Sequence, residues 1–313
     1  MCIRDRDPCH RLLPQTRQAV LGLEARGVPF VIVTARGPTA VAPLLQDMGL
    51  RCGVISFSGG LMRDPAGRTL FHRGFPKEEA RRLLDYLEGW PVTVCIYAFD
   101  QWLARDRSDP RVTGEEAVVH AQARQGWLED LTGEEVHKLL CMGEPTDILR
   151  LERQMVAAFP GYSIVRSADT LLEVMAGGVT KAWGVRQACA HYGIPLEEAA
   201  AFGDNYNDME MLQAVGRGFL MGNAPRAVSY THLRGGGTAR SLCSVLPLRK
   251  KGRPGAGPSR PGDGGRPEEC MTSEVLSYAI IVSLAPVGRT AVHRGRRQAR
   301  TGHSRPERGE HPV

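Results

Sequence analysis

The chain alternates between short, nearly continuous apolar runs and longer stretches whose apolar positions recur at helical spacing. Residues 14–26 carry Ala19, Val20, Leu23 and Ala25 ahead of Gly27, which predicts a helix with a glycine stop. Residues 28–33 are almost all apolar, the pattern of a strand buried on both faces of a parallel sheet. A helix over 39–48 and a strand over 51–57 follow, closed by a turn at Ser58-Gly59-Gly60. From about residue 76 the texture changes. An amphipathic helix is predicted over 77–87, strands over 92–97 and 137–142, a helix over 146–159 and a strand over 162–166. The first texture then resumes, with a helix over 182–192, a strand over 199–202, a helix over 208–215 and a strand over 218–221. The alternation predicts an α/β fold with an open parallel sheet, interrupted by a second, smaller α/β unit. Ligands of such a sheet sit outside the carboxyl ends of its strands.

Composition sharpens the boundaries. At 313 residues the chain is long enough for two domains. Its net charge of +6 is not uniform: residues 229–313 hold 15 Lys or Arg against 6 Asp or Glu, a balance of +9, which leaves −3 for residues 1–228. With 21 Gly or Pro among those 85 positions, the tail reads as disordered or non-native sequence. A basic tail can bind nucleic acid through phosphates, but Tyr278 is the only aromatic residue past Tyr230, so base stacking has no platform there. Residues 278–287 are too short for a membrane span, and the first residues lack the apolar segment of a secretory signal. Eight cysteines without a Cys-x-x-Cys pair indicate reduced thiols in a cytoplasmic protein.

The candidate chemistry lies just beyond the predicted strands. Gly203-Asp204-Asn205-Tyr206-Asn207-Asp208 offers two carboxylates and amides on a loop before a helix, an oxygen-rich corner suited to Mg2+. It also reads as an acidic helix start, which Asp and Asn favour. Thr34 offers a hydroxyl to a phosphate oxygen, or serves as a turn threonine. Lys181 opens a predicted helix, where a cation is unfavourable, so its place asks for an anionic partner; it is otherwise a surface lysine. A hydroxyl, a lysine and a carboxylate corner at one sheet edge are the parts of a phosphoryl-transfer site.

The order and spacing of these segments resemble the haloacid dehalogenase (HAD) superfamily, in its Cof-type branch of phosphatases with an inserted α/β cap. The second family motif is matched by Val31-Ile32-Val33-Thr34-Ala35-Arg36, the third by Lys181 in Gly178-Val179-Thr180-Lys181, and the fourth by Gly203 to Asp208. Met221-Gly222-Asn223-Ala224 resembles the segment after the fourth motif. Ile55 to Gly60 resembles the stretch before the cap, with Ser58 where asparagine is usual, and Leu172-Glu173-Val174 the return from it. The resemblance implies a Rossmann-like core over 9–75 and 177–228, its first strand missing, and a cap over 76–176. It also implies a Mg2+-dependent hydrolase of sugar phosphates or similar small metabolites, working through an aspartyl-phosphate. Thr34, Arg36 and Lys181 would bind substrate, Thr34 and Lys181 acting in catalysis. Asp204 would hold Mg2+, supported by Asp208 and Asn207. The partner would be a small phosphorylated metabolite, with no nucleic acid or membrane, and the protein a monomer or weak homodimer.

The family's nucleophile motif, an apolar strand ending Asp-x-Asp-Gly-Thr, has no counterpart. Asp5 and Asp7 have the spacing, but Pro8 and Cys9 follow instead of Gly-Thr. Both ends are expected to be foreign to the parent gene, and the chain as written is expected to be inactive. The competing expectations are a non-catalytic remnant whose cap binds ligand weakly, and a nucleic-acid-binding protein acting through the tail.

Overall fold

The architecture comes from a computed structural model, which describes residues 14–221 and 238–239. Helix α1 (Pro14–Glu24) precedes strand β1 (Val31–Val33), and α2 (Pro38–Met48) crosses to β2 (Gly53–Ser56), which pairs with β1 in parallel. Pro38 opens α2, where its missing N–H would have had no helical partner. Beyond β2 the chain folds back as an antiparallel hairpin, β3 (Leu61–Arg63) and β4 (Thr69–His72). The Asp64 carboxylate organises its turn by accepting from the Ala66 and Arg68 N–H groups.

β5 (Phe75–Pro76) and α3 (Lys77–Leu87) lead into a second unit. It comprises β6 (Val92–Ala98), β7 (Gln101–Ala104), α4 (Pro110–Val119), β8 (Arg124–Gln125), β9 (Glu135–Val136), β10 (Lys138–Gly143), α5 (Pro145–Ala158), β11 (Tyr162–Ala168) and β12 (Leu171–Ala176). Six of these strands form a sheet in the order β11-β12-β10-β6-β7-β8, antiparallel except for β7 with β8. Helices α3 and α5 cover one face, burying Leu83, Leu87, Leu151 and Met155 with Ile96, Leu139 and Val174. The other face sets Cys95, Tyr97, Trp102 and Leu140 against Ala40, Phe57 and Leu61 of the first unit. Alternation along β6 and β10 divides the apolar residues between these two faces.

The first unit resumes with α6 (Lys181–Tyr192), β13 (Ala200–Gly203), α7 (Met209–Ala214), β14 (Arg217–Met221) and β15 (Thr238–Ala239). β13, β14 and β15 pair in parallel. The two ladders of this unit are not hydrogen-bonded to each other: among the described residues β1 pairs only with β2, and β13 only with β14. Yet they share buried clusters, one holding Val31, Val33, Ala199 and Ala201, another Ile32, Ala200 and Phe202.

The parallel α/β pattern holds, with corrections. The apolar run at 28–33 is a strand only over its last three residues, and that at 51–57 only over Gly53–Ser56. The core is not wholly parallel, since β3 and β4 add antiparallel partners. The tail expected to lack structure contributes Thr238–Ala239, which pair with Leu220 and Met221; an open strand edge is a template for such pairing. The rest of that tail, Asp5, Asp7, and Gly222-Asn223-Ala224 lie outside the described residues. Among those described, Cys52, Cys95, Cys141 and Cys189 are free and buried, and desolvation pushes the first three thiols up to about 12. No described helix is long and apolar enough to cross a membrane.

Candidate active site

Thr34 follows β1 directly and is buried. Its Oγ1 accepts the Arg36 N–H at 3.1 Å, which leaves the hydroxyl proton for an anion. The backbone N–H of Thr34 is engaged by the Ile55 carbonyl, so the side chain carries the polar chemistry at this position. The Thr34 carbonyl accepts the Ser58 N–H at 2.9 Å, which joins this loop to the turn after β2.

That turn is conformationally unusual. Phe57 and Ser58 both have positive φ, 53° and 52°, and Gly59 has φ 120°. A methyl group at Gly59 would lie 2.2 Å from the Thr180 carbonyl oxygen, at the start of α6. Only glycine allows the turn to press against that helix start. Gly59→Ala is therefore expected to lose roughly 1–3 kcal/mol through backbone strain alone. A urea unfolding midpoint equal to that of the parent chain would disprove this packing.

Lys181 is the first residue of α6, and Thr180 caps the helix by accepting the Trp183 N–H. The Lys181 ammonium is 2 % exposed, donating to Asp208 Oδ1 at 2.8 Å and Asn207 Oδ1 at 3.0 Å. The anionic partner that its helix position demands is thus Asp208. The other Asp208 oxygen, Oδ2, accepts from the backbone N–H groups of Asp204 and Asn205, both at 3.0 Å. Asp208 is fully buried, and its carboxylate fixes the loop in which Asp204 sits. Gly203 makes room for it: a Cβ there would come within 2.5 Å of Asp208 Cβ. Asn205 turns outward to donate to the Ser167 carbonyl of β11, tying this loop to the second unit.

Thr34, Lys181 and the Gly203–Asp208 loop are thus linked through Ser58, Gly59 and Thr180 and through Lys181 itself. Asp208 and Asn207 direct their oxygens at Lys181 and at backbone N–H groups, whereas Asp204 carries a buried carboxylate at the same corner. Arg36 lies with Tyr97, Trp102 and Lys138 around a narrow cleft between the units. Of the second-unit residues considered for this pocket, Tyr97 and Trp102 are stacked at 5.5 Å, while Asp100 pairs with Arg63 at 2.7 and 2.8 Å.

The residue the sequence reading missed is Lys138. Its ammonium donates to the Ala35 carbonyl at 2.8 Å, next to Thr34, and lies 3.3 Å from Glu173. Glu173 accepts the Ser58 hydroxyl at 2.8 Å on its other oxygen. All three side chains are buried. The available signal was a lone lysine directly before the apolar run at 139–142.

Residues 7–231 match the model of the haloacid dehalogenase-like hydrolases. The chain is 30 % identical over 221 residues to the HMP-PP phosphatase of Yersinia pseudotuberculosis (strain IP 31758), covering 69 % of this chain and 79 % of that one. Among solved structures, a haloacid dehalogenase-like hydrolase from Bacteroides thetaiotaomicron superposes with a TM-score of 0.63 at 22 % identity, covering 71 % of this chain and 86 % of its own. A HAD subclass IIB sugar phosphatase gives 0.64 at 24 % identity, covering 75 % and 90 %. At those identities the two structures speak for the fold alone.

Proposed function

This chain belongs to the haloacid dehalogenase-like hydrolase family, and from that premise we propose that its site is built for Mg2+-dependent hydrolysis of small phosphate monoesters, sugar phosphates first among them. The observation that carries the reading is the Lys181–Asp208 pair, buried at 2.8 Å, with the backbone N–H groups of the Asp204 loop closed onto the same carboxylate. A buried lysine held this way keeps its charge in place, so it can neutralise a phosphoryl oxygen without reorganising. Thr34 donates its hydroxyl proton to a second phosphoryl oxygen. Arg36 and the cleft beside Tyr97 and Lys138 would take the rest of the substrate, and the six-stranded unit would act as the cap that selects it.

Asp204 suits a hard cation: Mg2+ needs only one or two protein carboxylates beside waters and phosphate oxygens. Asp204 would hold the ion, with Asp208 and Asn207 positioning the loop. When bound, Mg2+ supplies positive charge to the transferring phosphoryl group. Residues 14–221 contain no Asp-x-Asp pair, so they furnish the half of the site that positions phosphate and metal, without a nucleophile and acid of the family kind. The same property makes the chain as it stands a weak Mg2+ binder. Calorimetry should show millimolar affinity or weaker, and micromolar affinity unaffected by Asp204→Ala would place the metal elsewhere. The reading as a whole is tested with a panel of sugar phosphates and a chromogenic ester, with and without Mg2+.

A further inference from the structure

A second cluster of ligand-type side chains lies at the junction of the two units, apart from the Asp204 corner. β4 runs into β5, and β5 pairs with β9 in the register Phe75 with Val136 and Pro76 with Glu135. That pairing brings His72, at the end of β4, beside Glu135 of β9 and beside His137, which lies between β9 and β10. One donor atom from each of the three lies within 4.8 Å of the others. His72 Nδ1 is 3.2 Å from Glu135 Oε2, and the His72 and His137 rings have centroids 5.5 Å apart.

His137 is the telling member. It is 0 % exposed, yet neither ring nitrogen has a hydrogen-bond partner. A buried polar group without a partner is costly, so such an imidazole asks for an occupant. Phe57 and Phe99 pack against its ring at 5.4 and 4.5 Å, which fixes its place.

We propose that His72, Glu135 and His137 are the protein ligands of a Zn2+ ion that joins the hairpin β3–β4 of the first unit to the β9–β10 segment of the second. Two imidazoles and a carboxylate are a donor set that suits Zn2+, with a fourth position left for water. Imidazole nitrogen disfavours Mg2+, which separates this site in chemistry from the Asp204 corner. In the tetrahedral arrangement that Zn2+ takes, ligands about 2.1 Å from the ion lie about 3.4 Å apart. From donor atoms within 4.8 Å of one another, the triad therefore needs to close by up to about 1.4 Å, which a rotation of the exposed His72 ring can supply. The ion would act as a cross-link between the units. This inference stands independently of the hydrolase reading.

Calorimetric titration of the full, chelator-stripped chain with Zn2+ tests it. One ion should bind per chain at micromolar affinity or tighter, and the melting temperature should rise with it. His137→Ala, Glu135→Gln and His72→Ala should each weaken binding by more than the roughly 10- to 100-fold that loss of an outer partner costs. Asp204→Ala should leave it unchanged. His72 is exposed, so its variant answers the question even if His137→Ala fails to fold. Absence of saturable Zn2+ binding would overturn the proposal. So would binding that persists in His72→Ala, or a Co2+ spectrum with a thiolate charge-transfer band, which would put the ion on cysteines.

Discussion

Joined ahead of Cys9 to an in-frame apolar strand ending Asp-x-Asp-Gly-Thr, with a family-type ending in place of residues 229–313, this chain is expected to hydrolyse phosphate monoesters with Mg2+, and Lys181→Ala to cut that rate by about 10²–10³-fold. The chain as it stands is expected to show no turnover above background. Both outcomes follow from the division of labour at the site. On the proposed function, Lys181, Thr34 and Asp204 would hold charge and position phosphate, and a covalent aspartyl-phosphate step would need a carboxylate from outside residues 14–221. The loss from Lys181→Ala is electrostatic, because the ammonium is buried and already oriented by Asp208 and Asn207. Removing it also leaves the Asp208 carboxylate buried with two backbone partners and no counter-ion. Lys181→Met, which preserves the packing volume, with circular dichroism on each variant, separates the lost rate from lost structure. Deleting residues 229–313 alone should not lower activity. Lys181-dependent turnover by the unrepaired chain would refute this account and return attention to Asp5 and Asp7.

Lys138→Met is expected to destabilise the fold by about 3–5 kcal/mol, the usual cost of stripping one partner from a buried ion pair. Glu173 would be left 1 % exposed with, among the described residues, only the Ser58 hydroxyl as side-chain donor. The Ala35 carbonyl would lose its donor at the same time. Most of the loss should return in the double variant Lys138→Met with Glu173→Gln, where Ser58 can still donate to the amide oxygen and no charge is stranded. Urea unfolding of the single and double variants gives both numbers. A single variant within 1 kcal/mol of the parent would mean that the pair behaves as a surface contact, contrary to its burial.

What could be read from the sequence divides along physical lines. Helix α3 carries its apolar residues at strict helical spacing, with Glu78 and Glu79 in its first turn, and the predicted bounds of 77–87 coincide with the structure. The short members escaped. β3 spans three residues and β4 four, too few to establish a period, and α4 carries Gly114 in its interior with only Val112 and Val119 buried. At the site, the helix-start position of Lys181 pointed to an anion, but only folding shows that Asp208, 27 residues on, supplies it. The tie from Ser58 to Glu173 and on to Lys138 joins residues 115 and 35 positions apart, and no local pattern encodes such a pairing. The same holds for His72 with Glu135 and His137, which only the β5–β9 register brings together.

The second unit interrupts the first between His72 and Lys181, so the core must bring together segments separated by residues 73–180. As free chain, a connection of that length would oppose closure through the entropy of joining its ends, a cost that rises with the logarithm of length. But the segment that leaves the core and the one that returns to it meet: the Arg73 guanidinium lies 5.7 Å over the Trp183 ring, and Phe75, Ala176 and Val179 share the buried cluster of the second unit. Once the six-stranded unit is folded, the two halves of the core are separated by the width of that cluster rather than by a long flexible segment. In chain-entropy terms the insertion then behaves as a short, stiff turn, and the core can enclose it for little more than a hairpin would require.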